Sequence, residues 1–311
     1  MTREPNPWPA ATSAAQNADP SKWVESRRSG GALVAVGNCT EINKIKMRTS
    51  AQLQALAKAD KRRIAMKPIK IDPSVKHGDW KHGFGVEIFY PGTALDGGDS
   101  GIGAIGRIDR ALIQPGHVIA MHPHKDDEIF TYKRGGRMLH LDTVGNREEV
   151  NAQRLMMMNA GHTFQHEERV IGDEPTKALQ IFLRPRKGDL EPKVQFEGLD
   201  SAYSEDEWRL LVAPSGAIFE VRAQAWVRDA RLHAGRRLQI PTLPTPSSVN
   251  LLFVFEGEIR LGEITISAGE FYYLGTESQA IEALTDSDIV LFTTDPKAPV
   301  FKGGMFSGNV R

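Results

Sequence analysis

From about residue 84 onward, Gly, Pro, Asn and Asp cut the chain into short apolar runs at roughly ten-residue intervals. "GVEIFY", "IFTYKRGG", "RMLHLDTVGN", "RLMMMNAG", "LQIFLRP", "VNLLFVFEGEIRL" and "DIVLFTT" are examples. At that spacing each run has room for one strand and one turn, and none for a helix between strands. The rhythm predicts an all-β fold of antiparallel sheets, closed into a sandwich or barrel so that strand edges are not left open. Long amphipathic helical patterns are scarce after residue 70.

The rhythm also repeats. "IFTYKRGGRMLHLDTVGN" and "LLFVFEGEIRLGEITISAGEF" share one plan: an apolar strand, a Gly turn, a second strand and a second Gly-bearing turn. Between them "RPRKGDLEPKVQFEGLDSAYSEDEW" is polar and carries Pro and Gly, as a linker does. A chain of 311 residues accommodates two β-domains. The expected organisation is an N-terminal tail and extension over 1–83, with one short helix near 50–63, then β-domains over 84–190 and 191–311.

Charge narrows the function. Lys+Arg and Asp+Glu both number 39, so no global field draws the chain to nucleic acid or to an anionic membrane. Residues 44–70 hold nine Lys/Arg against the single acid Asp60. No aromatic residue is interleaved there, and Ser50, Leu53, Leu56 and Ala57 keep helical spacing, so a solvated helix is expected rather than a polyanion site. Cys39 is the only cysteine, which excludes a disulfide framework and a thiolate metal cluster. The opening "MTREPNPWPAATSAAQNADPSKW" has no continuous apolar core of a signal peptide, and runs such as "LLFVF" are too short to span a bilayer. The expected localisation is cytoplasmic, with no direct nucleic-acid or membrane partner.

The chemistry concentrates in "GHVIAMHPHKDDEIFTYKRGG", residues 116–136. Side chains at i and i+2 share a face of a strand, so His122 and His124 point the same way, and Glu128 joins them if the strand continues. Pro123 removes a ladder donor, as at a sheet edge. A second i, i+2 pair, His166 and Glu168, lies in "FQHEE" about forty residues on. A lone H-x-H is more often surface or structural than ligating. Two matched pairs separated by a strand–turn–strand unit favour a metal. On neighbouring strands, three imidazoles and one carboxylate would converge, a donor set that suits Fe, Mn, Ni, Cu or Zn. On spacing alone the carboxylate is either Glu128 or Glu168.

Gly116, His122, His124, Glu128 and Gly135 fall on every fixed position of the cupin pattern G-x5-H-x-H-x3-E-x6-G. "HPHKDDEIFTY", "GNREE", "MMMNAG" and "HEE" further resemble the pirin family. The resemblance covers roughly residues 84–305, with its specific motifs within 116–168. It implies a bicupin, two antiparallel β-barrels of double-stranded β-helix (jelly-roll) type in tandem, with metal in the first only. The implied ligands are His122, His124, His166 and Glu168, around iron(II) first, or around nickel, manganese, copper or zinc. The general cupin pattern would use Glu128 instead. Following the closer family leaves Glu128 as an acid that orients a histidine, so the carboxylates with an expected catalytic role are Glu168 and Glu128.

The activity implied is that of a quercetin 2,3-dioxygenase: a small aromatic substrate, a flavonol, is cleaved by O2 with release of carbon monoxide, and Glu168 takes the proton of the 3-hydroxyl. The alternative is a non-enzymatic metal-binding regulator acting through a protein partner such as a transcription factor. Asp126, Asp127, Glu148, Glu149, Glu167 and Glu168 would supply its charged surface. The chain departs from the family at Asp126 and Asp127, where a small or aromatic residue is usual, and at Asn159, His162 and Thr163. Those changes bear on the substrate rather than on the metal.

Other features read as structural. "GIGAIG" at 101–106 has the G-x-G-x-x-G form without a preceding strand or a following helix, so a flexible loop is expected rather than a dinucleotide site. His117 has opposite parity to His122 and reads as surface. His140 reads as a core or rim histidine, His162 as a candidate for the cavity lining, and His77 and His82 as surface or packing residues. His233 alone cannot make a site in the second half. In the stripe Leu155–Met158 one parity must face a barrel interior, where Phe130, Tyr132 and Phe164 are expected to join it.

Overall fold

The computed structural model describes residues 67–310; the expected helix near 50–63, the basic run up to 66 and Cys39 lie outside them. Within this range the only helical element is one 3-10 turn, Pro91–Ala94, and everything else regular is strand. The strands form two similar halves, each a seven-stranded sheet facing a four-stranded one. All strand pairings are antiparallel except that of Arg209–Ala213 with Phe219–Glu220.

In the first half the large sheet runs in the order Lys193–Gly198, Arg154–Asn159, Glu128–Arg134, Thr176–Leu183, Ile105–Ile113, Phe84–Phe89, Val75–Gly78. The small sheet runs Val118–His124, Phe164–Ile171, Arg137–Asp142, Arg147–Val150. The second half repeats the plan, with Val249–Glu256 and Ser287–Thr294 at the centre of its large sheet. This is the tandem all-β architecture that the turn rhythm predicts.

The boundaries interlock more than a cut at 190 implies. Lys193–Gly198 pairs with Arg154–Asn159 in the first half, so the chain crosses over only after Gly198. Ile69–Ile71, from the expected extension, instead pairs with Phe271–Gly275 of the second half. Residues 301–310 return to the first half, where Ser307 is fully buried and donates its amide to Asp127.

The two large sheets pack face to face, which explains why their central strands are buried on both sides. Along Glu128–Arg134 every residue is buried. Phe130 and Tyr132 enter the core shared between the halves with Phe219, Phe253 and Phe271, whereas Ile129 faces the interior of the first half. The methionine stripe splits in the same way. Met156 and Met158 pack with Phe164 and Phe182 inside the first half, while Leu155 and Met157 join the shared core. Phe164 is thus on the interior as expected, but Phe130 and Tyr132 are on the opposite face.

The "GIGAIG" segment is a buried connection rather than a loose loop: Ile102 and Ala104 lie in the shared core. A Cβ at Gly106 would stand 2.2 Å from the Ser307 carbonyl oxygen, so the close approach of the closing segment requires glycine there.

Candidate metal centre

Val118–His124 is the edge strand of the small sheet, which is why Pro123 is tolerated in it. Its inner neighbour Phe164–Ile171 sets His166 opposite His122 and Phe164 opposite His124. Directly opposed residues point to the same face of an antiparallel pair, so all three imidazoles enter the interior together. His124 and His166 are buried and His122 is half-buried, leaving the exposed side of the cluster along the edge strand.

The three rings meet through Nε2. His124 Nε2 lies 3.1 Å from His122 Nε2 and 3.0 Å from His166 Nε2. Burial lowers the His122 pKa against the opposing hydrogen bond to the Ala120 carbonyl. Burial, reinforced by His124, His122 and His140, holds His166 well below the ordinary imidazole range. Where two of these nitrogens carry lone pairs, they repel unless a proton or a cation lies between them. Two nitrogens bound at about 2.1 Å and at right angles on one metal are about 3.0 Å apart, so this spacing fits a divalent ion. The Nδ1 atoms of His124 and His166 are buried without a hydrogen-bond partner.

Glu168 is inward-facing and buried, but a register shift between His166 and Glu168 sets it opposite Ile119 and His140 rather than in line with His122. Its Oε1 lies 3.9 Å from His166 Nδ1, on the far side of that ring from the Nε2 cluster. Two donor groups therefore abut at His166: His122, His124 and His166 on one side, and His140, His166 and Glu168 on the other. Burial pushes the Glu168 carboxyl up to about 7, against the pull of nearby Lys133. Lys133 is itself fully buried, is lowered by burial to about 7 and donates to Thr176 Oγ1 at 2.7 Å.

His140 is more deeply placed than its sequence position indicates. It is fully buried, its Nε2 is 2.9 Å from Asp142 Oδ2, and its ring centroid is 5.3 Å from that of His166. The i, i+2 spacing of His140 and Asp142 on the strand beside His166 was the available signal. Phe182 and Phe306 complete the wall, with ring centroids 6.0 and 4.9 Å from His124. Phe306 comes from the closing segment, which no local pattern links to the histidines.

Several expectations are corrected. Glu128 is not near the histidines. After His124 the chain turns through Asp126, at φ 57°, and Glu128 opens a strand of the large sheet, so the assumed continuous strand parity does not apply. Its oxygens instead face the second half, where Oε1 accepts from Arg222 Nε at 2.7 Å and Oε2 from the Arg222 amide at 3.1 Å and from Asn159 Nδ2 at 2.5 Å. Asp126, Asp127 and Glu168 are buried, which removes half of the proposed acidic surface. His162 is exposed and pairs with Glu191 at 3.4 Å rather than lining the cavity. His117 stacks on Phe84, His82 pairs with Asp79, and His77 is exposed. His233 is paired with Asp206 and Glu205, both at the surface side of the second half.

Paired seven- and four-stranded sheets in tandem, with an imidazole cluster inside the first pair, define a bicupin. The pirin family model matches residues 100–183. A Zymomonas mobilis protein provisionally named a quercetin 2,3-dioxygenase is 30% identical over 198 residues, 60% of this chain and 80% of that protein. The quercetin 2,3-dioxygenase of Escherichia coli K12 is 26% identical over 210 residues, 63% of this chain and 84% of its own. The E. coli pirin YhhW, solved in complex with nickel(II), superposes with a TM-score of 0.64 at 21% identity, over 74% of this chain and 99% of its own. The chain belongs to the pirin family.

Proposed function

We propose that this pirin is a metal-dependent dioxygenase acting on flavonols such as quercetin. The observation that carries the reading is the convergence of the His122, His124 and His166 Nε2 atoms at 3.0–3.1 Å in a largely buried environment, where burial lowers the pKa of His122 and His166. These three imidazoles would hold the divalent ion, iron(II) first; Glu168, 3.9 Å from His166 Nδ1 on the far side of that ring, would have to swing toward the Nε2 cluster to join them as the carboxylate of the set. The ion supplies Lewis acidity toward a bidentate oxygen ligand and a means of engaging O2.

The chain's own residues supply the rest. Glu168, at about 7, can take the substrate's 3-hydroxyl proton near neutral pH and become the neutral acid, with Lys133 close enough to favour the carboxylate form that acts as the base. Phe164, Phe182 and Phe306 form an apolar wall beside the histidines, suited to a flat aromatic substrate. The half-buried face of His122, on the edge strand, is the side from which such a substrate would approach.

The test is the purified, iron(II)-reconstituted chain mixed with quercetin in air and under argon, followed by the flavonol absorbance. Loss of absorbance that requires both metal and oxygen supports the reading. A chain that binds metal yet leaves every flavonol unchanged in air removes the activity while keeping the site.

A further inference from the structure

Residues 301–310 do more than end the second half, for they form part of the wall of the metal centre. Met305 donates its amide to the Lys125 carbonyl at 2.9 Å, one residue beyond His124. The Phe306 amide donates to Asp127 Oδ2 at 3.1 Å, and the Ser307 amide donates to Asp127 Oδ1 at 2.8 Å. Asp127 is fully buried, and its Oδ2 lies 3.8 Å from His124 Nδ1, which has no hydrogen-bond partner. The Phe306 ring lies against the same imidazole and against Phe182, at centroid distances of 4.9 and 5.3 Å.

The segment is held on both flanks. Arg184 Nε donates to the Ser307 carbonyl at 2.8 Å, Arg107 lies 5.2 Å from the Phe306 ring centroid, and Asn309 Oδ1 accepts from the Ser100 amide at 3.0 Å. A Cβ at Gly304 would stand 2.6 Å from Asp127 Oδ1, so contact at this distance depends on glycine.

We propose that residues 304–307 are a positioning element of the metal centre that acts through Asp127: their amides hold the carboxylate on the Nδ1 side of His124, which fixes the ring with Nε2 turned to the metal. A ligating histidine ordinarily gives its second ring N–H to a carboxylate or carbonyl, and that acceptor fixes tautomer and ring orientation. Asp127 is the carboxylate within 4 Å of this nitrogen, at 3.8 Å. The inference rests on the metal reading above. It adds that a segment from beyond the second half sets the geometry of a ligand in the first.

The experiment is a Ni(II) titration of four full-length or shortened chains: the parent, Asp127→Ala, the chain ending at residue 303, and the two changes combined. Each single change is expected to weaken Ni(II) binding by about 10- to 100-fold. The combination is expected to be no weaker than Asp127→Ala alone, because the segment acts through that carboxylate. Parent-like binding in the single variants, or losses that multiply in the combination, would overturn the inference.

Asp127→Asn guards against a folding failure. Its amide oxygen still accepts from Phe306 and Ser307, so the segment stays docked by hydrogen exchange. Weak Ni(II) binding with an altered Co(II) absorption spectrum then supports the inference, and a parent-like spectrum and affinity contradict it. His122→Ala separates the two layers. If the parent takes up no Ni(II), or His122→Ala binds as well as the parent, the metal reading itself falls. If His122→Ala fails and the Asp127 variants bind normally, only this inference falls.

Discussion

Lys133 shows most sharply how single residues are set by the interior of the first half. Its ammonium is fully buried, and burial brings its pKa from 10.5 to about 7. A folded pKa below the unfolded one means that the unfolded chain binds more protons between about pH 7 and 10, so stability rises with pH across that window. The slope contributed by one such group is at most about 1.4 kcal/mol per pH unit. Lys133→Met removes it, so urea denaturation of the metal-free protein at pH 7 and at pH 9.5 is expected to show a smaller rise in the variant than in the parent. Equal rises would mean that Lys133 is not the source. Glu168 makes the complementary prediction: Glu168→Gln keeps the shape but neither ligates as a carboxylate nor accepts a proton, and is expected to lower metal affinity and to abolish flavonol turnover.

The histidine pairs were legible in the sequence because strand parity is strict over two residues. The same rule failed for Glu128, four residues past His124, because Asp126 breaks the strand and the chain changes sheet. His140 was read as a core or rim histidine, and it is buried and bonded to Asp142; its proximity to His166 was not read, since that depends on which strands are neighbours.

At the scale of elements, the strand Glu128–Arg134 joins the site to the rest of the molecule. One face lines the first half; the other carries Glu128, Phe130, Tyr132 and Arg134 into the contact with the second half. Arg134 reaches Asp288 at 2.8 Å and Asp229 at 3.0 Å, with all three groups essentially buried. Removing one member of a buried ion pair strands its partner, which costs about 3–5 kcal/mol. Arg222→Ala, which leaves Glu128 buried without its guanidinium, is expected to lose stability of that order in chemical denaturation, while Ni(II) stoichiometry stays at the parent value. A parallel loss of metal would put Glu128 back into the site. The continuous burial of this strand was only partly readable: Ile129, Phe130 and Tyr132 mark an apolar run, but the burial of Glu128, Lys133 and Arg134 depends on partners that local sequence does not show.

For the whole molecule, the alternation of short strands and turns was enough to predict two similar β-halves, since runs of strand length closed by turn residues leave no room for helices between them. It did not reveal the exchanged pieces: Ile69–Ile71 in the second half's sheet, Lys193–Gly198 in the first, and residues 301–310 returning to the first half. These are long-range pairings that local sequence does not encode. Asp99 is one joint of that closure, bonded to Arg184 and Lys302 at 2.7 Å each. Burial would raise its carboxyl, but hydrogen bonds from Arg184, Lys302 and the Gly101 amide outweigh it and hold the group well below the usual carboxylate range. Its contribution is therefore present above about pH 4 and is lost as pH falls toward the depressed folded value. Asp99→Asn is expected to flatten the acid limb of a melting-temperature profile between pH 5 and 3; an unchanged limb would assign the acid loss elsewhere.

The reading depends most on the three converging imidazoles, and elemental analysis tests them directly. Parent and His122→Ala/His166→Ala chains are reconstituted with iron(II) or Ni(II), desalted and measured for metal per chain. The account predicts about one equivalent in the parent and almost none in the double variant, for a single site built from these donors. Equal metal in both chains, or none in the reconstituted parent, would contradict it.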